Sequence, residues 1–531
     1  MIAEFGAHQE VQLLLLLLAA AALLLLADPL RIPYPILLVV GGLLLGFAPG
    51  VPNLSLPPDV VLVGILPPLL YSAAFNTGLR ELRQNLRPIS LLALGLVTAT
   101  TISVALVGHY VVHLSWAAAF VLGAVVSPTD PLAASSIGRR LGVPRRPLAI
   151  IEGESLVNDG TALVLFKFAV AAVVAGTFSL MHAAASFVWT VVGGVAIGLV
   201  IGHAIRLLRR RLDNPPMEVM IAFLTGYFTY LPASSVGASG VLAVVTAGVY
   251  MGWHTPELTT VETRLQGYAF WSIFNFLLNA LLFGLVGLQL RPILDRLSGH
   301  STGHLIAYAV AVAAVVIATR IVWVVPLTYL PRLLSRRIRE RDPYPPWQQP
   351  AFVCWTGMRG AVTLAAALAI PLMTDAGTRF PNRDLIVYLA FCVVLATLVV
   401  QGLTLPLVIR ALGLEDDALD VKEETKARIY AAEAAAARLE ELVDDGSVRP
   451  DTAGRLRGLY EFRRNRFRAR FDDADDGAIE EQSQAYQRVR RQLLDAERSA
   501  VVALRNEGRI SDEVMHRVER DLDLEDSRLD V

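Results

Sequence analysis

Cysteine is nearly missing from the 531 residues: only Cys354 and Cys392 occur, both in apolar stretches. This excludes a disulfide framework and a cysteine metal site. Lysine is confined to Lys167, Lys422 and Lys426, so almost all basic residues are arginine, which reads as genome composition. The histidines fall mostly in expected loops (His109, His113, His254, His300, His304) without ligand spacing for a metal. No nucleophile–base pair, phosphate loop or metal cluster stands outside the apolar runs, so neither an enzyme nor a bound cofactor is expected. The net charge of −1 gives no reason to expect a nucleic-acid partner.

Apolar residues are what the chain has in abundance: 54% apolar against 18% charged, with a mean hydropathy of +0.51. That balance points to a protein of the lipid bilayer. About 20 apolar residues cross about 30 Å of hydrocarbon, and about thirteen segments reach that length. They run near 11–28, 34–49, 59–77, 88–112, 116–136, 147–175, 183–207, 217–232, 237–252, 268–290, 304–330, 350–374 and 385–411. The first could pass for a signal peptide, with Ala27-Asp28 as a cleavage site. However, its flank carries Glu4 and Glu10 and no basic residue, so a first membrane helix is the better reading.

Arginine clusters recur in alternate loops: Arg80, Arg83 and Arg87; Arg139, Arg140, Arg145 and Arg146; Arg206, Arg209, Arg210 and Arg211; Arg332, Arg336, Arg337, Arg339 and Arg341. Cytoplasmic loops carry such excess, which puts the N-terminus outside, the C-terminus inside and requires an odd number of spans. After Leu414 the texture changes. Residues 1–414 read as the membrane domain and 415–531 as a charged, helical cytoplasmic tail. Within the tail, the acidic run from Asp472 to Asp476 marks a break between helices.

Charge inside a span is costly and usually functional. Span five holds Ser127-Pro128-Thr129-Asp130-Pro131. Its prolines break the helix and free carbonyl groups that lipid cannot satisfy. Carbonyls, the Thr129 hydroxyl and the Asp130 carboxylate are hard oxygen ligands suited to a small alkali cation. Asp130 could equally cap the second half-helix, and the two roles are compatible. Span six holds Glu154-Ser155-Leu156-Val157-Asn158-Asp159. At 100° per residue, Glu154, Ser155, Asn158 and Asp159 share an arc of about 140°. Glu154 reads as half of a buried salt bridge, with Arg320 or Arg359 as its partner. Asp159 has no equally obvious partner. A bare carboxylate in a poorly solvated cavity is unfavourable, so proton and cation compete for it, and one such group is a minimal antiporter. Span twelve holds Gly357-Met358-Arg359-Gly360, a buried arginine between glycines and a second expected break. Spans five and twelve are equivalents if the first six spans repeat, inverted, as the last six, which directs attention to a site at the midplane. Asn275 and Asn279 in span ten read as a helix–helix hydrogen bond.

Across roughly residues 10–412 the sequence resembles the monovalent cation:proton antiporters, which include bacterial NhaP proteins and eukaryotic sodium/proton exchangers. The motifs at 127–131, 154–159 and 357–360 carry the likeness, each in its own span. The resemblance implies an all-α fold of thirteen spans with inverted repeats and two crossed, broken helices. It further implies a homodimer, an elevator-like shift of a core domain, and electroneutral one-for-one exchange associated with the Asn158-Asp159 pair. By the same resemblance, Na+ would be held by Asp159, Ser155 and the backbone at Thr129. Asp130 would stabilise the crossed helices, Asn158 would support the site, and Glu154 would pair with Arg320 or Arg359. Potassium or lithium in place of sodium stays open, as does an organic anion held by Arg320 and Arg359, although Glu154 and Asp159 speak against the latter. Repeated filter loops, expected of a channel, are absent.

Overall fold

A computed structural model of the chain describes residues 33–48, 59–175, 180–297, 301–414, 419–469 and 478–527, together with Ala22, Leu23 and Leu25. Two compact units divide the chain, Met1–Asp416 and Asp417–Val531. Among the described residues the structure is helical, apart from turns, loops and one isolated bridge between Met373 and Arg379.

In the first unit the apolar runs become helices α1 (Tyr34–Gly46), α2 (Val60–Asn76) and α3 (Leu86–Tyr110). The next run is split into α4 (Trp116–Val126) and α5 (Leu132–Arg140). Then come α6 (Arg145–Ala175), α7 (Leu180–Arg209), α8 (Pro215–Ser235), α9 (Gly240–His254), α10 (Val261–Leu288) and α11 (Thr302–Leu334). A second split run gives α12 (Gln348–Trp355) and α13 (Ala361–Leu368), and α14 (Arg383–Leu412) ends the unit. The expected spans from the second to the thirteenth each coincide with helix. The first, 11–28, lies almost wholly outside the described residues. Span twelve is shorter than expected: helix stops at Leu368, and residues 369–374 run into the turn that holds the bridge.

Six of the described helices are long and apolar enough to cross a membrane, namely Leu86–Tyr110, Arg145–Val174, Ala185–Arg209, Val261–Asp295, Thr302–Leu334 and Arg383–Leu412. Their outer faces expose Val192, Val200, Ile273 and Val322 by more than half, which suits hydrocarbon as solvent. Hydrogen bonds widen to a π-helical turn at Val60–Ile65, Leu91–Leu96 and Thr397–Gln401, a feature often met near functional sites.

Helix packing falls into two groups. The split helices α4–α5 and α12–α13 pack with α3, α6, α11 and α14. The other group joins α2, α7, α8 and α9, and pairs α10 with α1. The α1–α10 crossing depends on glycine. A Cβ on Gly287 would come within 2.4 Å of the Val39 carbonyl oxygen, and one on Gly42 within 2.6 Å of the Gly284 carbonyl oxygen.

The second unit contains α15 (Leu419–Asp444), α16 (Pro450–Ala469), α17 (Ala478–Asn506) and α18 (Asp512–Ser527). Helices α15 and α16 pack on Ala432, Leu439, Ala453 and Phe467, and Arg457 grips Glu440 with two bonds of 2.7 and 2.6 Å. Helices α17 and α18 pack on Leu494, Met515 and Leu522, with Arg498 reaching Asp523 and Asp526 at 2.9 Å each. These ion pairs are exposed or half-buried, so the apolar contacts do most of the stabilising.

Gly287→Val should therefore disrupt the first unit, at a cost of about 1–3 kcal/mol from overpacking. Size-exclusion profiles of the solubilised protein would show a smaller monodisperse fraction. An unchanged profile would mean that α1 and α10 can separate without harm.

Candidate functional site

The prolines at 128 and 131 take two backbone donors out of the fifth run, and helix stops at Val126 and resumes at Leu132. In the twelfth run, the segment Thr356 to Gly360 separates α12 from α13. The two breaks meet. The Asp130 backbone N–H donates to the Met358 carbonyl at 2.8 Å. One Asp130 carboxylate oxygen accepts from the Leu132 N–H at 2.9 Å, in the first turn of α5. The other lies where a Cβ on Gly360 would come within 1.9 Å, so only glycine fits at the start of α13. One carboxylate thus faces the positive N-terminal ends of two half-helices.

Arg359 does the reverse. Its side chain is fully buried, and its guanidinium donates to the Ser127 carbonyl at the C-terminal end of α4. A cation is favourable there, because the end of a helix presents unsatisfied carbonyls and partial negative charge. The Arg359 backbone N–H donates to Thr397 Oγ1 at 3.0 Å, in the wide turn of α14.

Glu154 is bound by Arg320 rather than Arg359. Arg320 Nη1 and Nη2 donate to the two carboxylate oxygens at 2.6 and 2.8 Å, and both side chains are 1% exposed. Arg320 Nε donates to the Val353 carbonyl near the end of α12 at 2.8 Å. Thr129 Oγ1 donates to Glu154 Oε1 at 3.1 Å, and Asn158 Nδ2 donates to Thr129 Oγ1 at 2.7 Å. A continuous network therefore runs from α11 through α6 into the first break. Asp159 lies next to it, buried at 6% exposure, and makes no hydrogen bond or ion pair among the described residues. Ser155, one turn earlier on α6, is half-buried and has no hydrogen bond into the network among the described residues.

Asn275 and Asn279 make ordinary packing contacts. Asn275 Nδ2 donates to Ser72 Oγ at 2.6 Å, and Asn279 Nδ2 donates to the Asn275 carbonyl at 2.8 Å. Two features escaped the sequence reading. Thr397 gave no signal, since a threonine in an apolar run usually bonds its own helix. Arg209 was counted among loop arginines, yet it is buried and pairs at 3.2 Å with Glu218, which also accepts from Thr263 Oγ1 at 3.3 Å. An acid at the start of span eight was the clue.

Two interrupted helices crossing inside a bundle of membrane helices, with opposite charges set against their broken ends, define the architecture of the cation:proton antiporters. The chain belongs to the sodium/hydrogen exchanger family: the transmembrane sodium/hydrogen exchanger profile matches residues 13–411. An uncharacterised Na+/H+ exchanger of Mycobacterium tuberculosis is 39% identical over 503 residues, covering 94% of this chain and 92% of the relative. The Na+/H+ antiporter ApNhaP of Aphanothece halophytica is 34% identical over 81% of this chain and 78% of its own. A Bacillus subtilis relative, named as a sodium, potassium, lithium and rubidium/H+ antiporter, is 36% identical over 71% of this chain and 58% of its own. In fold, the structure of the sodium proton antiporter MjNhaP1 from Methanocaldococcus jannaschii superposes with a TM-score of 0.58 at 17% identity, covering 76% of this chain and 99% of that one.

Glu154→Gln should strand Arg320 without a counter-charge and destabilise the fold by about 3–5 kcal/mol. Thermal unfolding of the solubilised variant should show a lower midpoint and a poorer folded yield. A fully stable variant with altered ion preference would instead put Glu154 in the transport site.

Proposed function

We propose that this chain is a secondary antiporter of the bacterial plasma membrane that exchanges Na+ for H+, one for one, at Asp159. The observation that carries this reading is the lack of a partner for Asp159. Glu154 is neutralised by Arg320, the Asp130 carboxylate accepts from the Leu132 N–H at the start of α5, and Arg359 donates to the Ser127 carbonyl. Asp159 alone lacks such compensation among these described groups. A buried carboxylate in that position holds either a proton or a cation, and crossing the membrane with neither is prohibitive. Alternating access would expose Asp159 to each side in turn.

Ser155 and the Thr129 backbone would complete the cation's oxygen shell, Asn158 would hold Thr129 in place, and Asp130 would keep the half-helices together. Exchange needs no cofactor beyond the two ions and forms no covalent product, so the protein is a transporter and not an enzyme. The alternating arginine loops support an outside N-terminus and a cytoplasmic C-terminus. The family likeness supports a homodimer in the bilayer and a role in pH homeostasis. Potassium or lithium in place of sodium is the second reading, favoured by the ions in the name of the Bacillus relative. An organic anion is disfavoured because Arg320 is committed to Glu154 and the Val353 carbonyl.

Purified protein in liposomes under an imposed pH gradient tests this directly. Added Na+ should move protons, and a valinomycin–potassium voltage clamp should leave the rate unchanged. Asp159→Asn should abolish that response in a folded, inserted protein. Silence towards every alkali cation would remove the proposal, and normal exchange by the variant would remove Asp159 from it.

Residues 1–414 would carry transport without 415–531. A chain ending at Leu414 should still exchange ions in liposomes, and comparing its pH profile with that of the full chain shows whether the tail acts on transport. Complete loss of exchange in a folded truncation would contradict that division.

A further inference from the structure

On the arginine-rich side of the first unit, α3, α6, α11 and the start of α12 line a cleft that the transport reading does not use. Its deep wall is apolar, formed by Leu91, Leu92, Val324 and Leu327. Its mouth carries Arg87, Arg146, Arg332 and Asp342. Arg146 and Arg332 share the single Asp342 carboxylate, at 2.7 and 2.6 Å. Burial alone would push the Asp342 carboxyl up, but hydrogen bonds from the two arginines outweigh it and hold the group below the usual carboxylate range. Asp342 is therefore ionised at neutral pH, and three guanidinium groups face one carboxylate, leaving two positive charges in excess. Arg87 is half-buried and makes no ion pair or hydrogen bond among the described residues.

We propose that this cleft binds the phosphate headgroup of an anionic phospholipid from the cytoplasmic leaflet, with Arg87 and Arg146 on the phosphate and an acyl chain on the apolar wall. A basic mouth over an apolar wall, at the water-facing ends of membrane helices, matches an anionic amphiphile. A free anion would gain nothing from the wall, and a zwitterionic lipid carries its own cation to compete with the arginines. The bound lipid joins α3, α6 and α11 to the segment that enters α12. The inner end of the cleft is Val353, whose carbonyl anchors Arg320. Occupancy would thus stiffen the group that contains both broken helices.

The full chain, purified in a neutral detergent, would be mixed with phosphatidylglycerol, phosphatidylcholine or inorganic phosphate, and followed by thermal unfolding and native mass spectrometry. Phosphatidylglycerol should raise the unfolding midpoint by about 2–4 °C and leave a retained adduct, and the other two should do neither. Arg87→Gln should weaken phosphatidylglycerol binding about tenfold, and Leu327→Trp should block the adduct by filling the wall. Equal effects of both lipids, a phosphate effect as large as the lipid's, or wild-type binding by Arg87→Gln and Leu327→Trp would each overturn the proposal. Because the readout is lipid binding, its failure would leave the exchange reading untouched.

Discussion

The Glu154–Arg320 pair is the constraint on which the rest of the first unit depends. Both groups are almost completely excluded from solvent, where an isolated charge is unsustainable. An apolar pair of similar volume could be more stable, but it could not point at backbone. Each member of this pair passes a hydrogen bond to a different broken helix. Arg320 takes the Val353 carbonyl near the end of α12, and Glu154 takes the Thr129 hydroxyl in the break between α4 and α5. One ion pair between α6 and α11 thereby fixes both interruptions. Irregular backbone at membrane depth is tolerated only when it is held in this way by protein.

Around that anchor, charge is distributed by helix ends. The N-terminal ends of α5 and α13 meet Asp130, and the C-terminal end of α4 meets Arg359. From the sequence, Arg359 is one of two arginines that could pair with Glu154. In the structure its guanidinium donates instead to the Ser127 carbonyl, which the break after α4 leaves free. The Glu154 carboxylate is meanwhile taken by both terminal nitrogens of Arg320.

Spans and breaks were legible because apolar length, the prolines of the fifth run and the glycines around Arg359 in the twelfth report directly on backbone cost in lipid. The choice between Arg320 and Arg359 was not, since both arginines sit in apolar runs and periodicity says nothing of which helix faces which. The wide turn at Thr397–Gln401 was likewise invisible, because a π-helical turn has the same composition as the α-helix around it. Arg209 was hidden by its neighbours. Beside Arg206, Arg210 and Arg211 it looks like one more loop charge, and only the fold turns it towards Glu218.

The same network dictates the residue at position 158. Paired with a guanidinium, the Glu154 carboxylate can only accept hydrogen bonds, so Thr129 must give it its single hydroxyl hydrogen. The Thr129 oxygen then offers only lone pairs to α6, and position 158 has to supply a donor. The Asn158 amide does so at 2.7 Å. An ionised aspartate there would face those lone pairs with no hydrogen between them, and it would add a second uncompensated charge beside Asp159. The polarity of the Arg320–Glu154–Thr129 chain therefore favours a neutral residue at 158, which leaves Asp159 as the unpaired carboxylate among the described residues on this face of α6. A single carboxylate that takes either one proton or one monovalent cation has the same charge with each. In physical terms, an electroneutral exchange stoichiometry would follow from a buried ion pair that contacts neither ion.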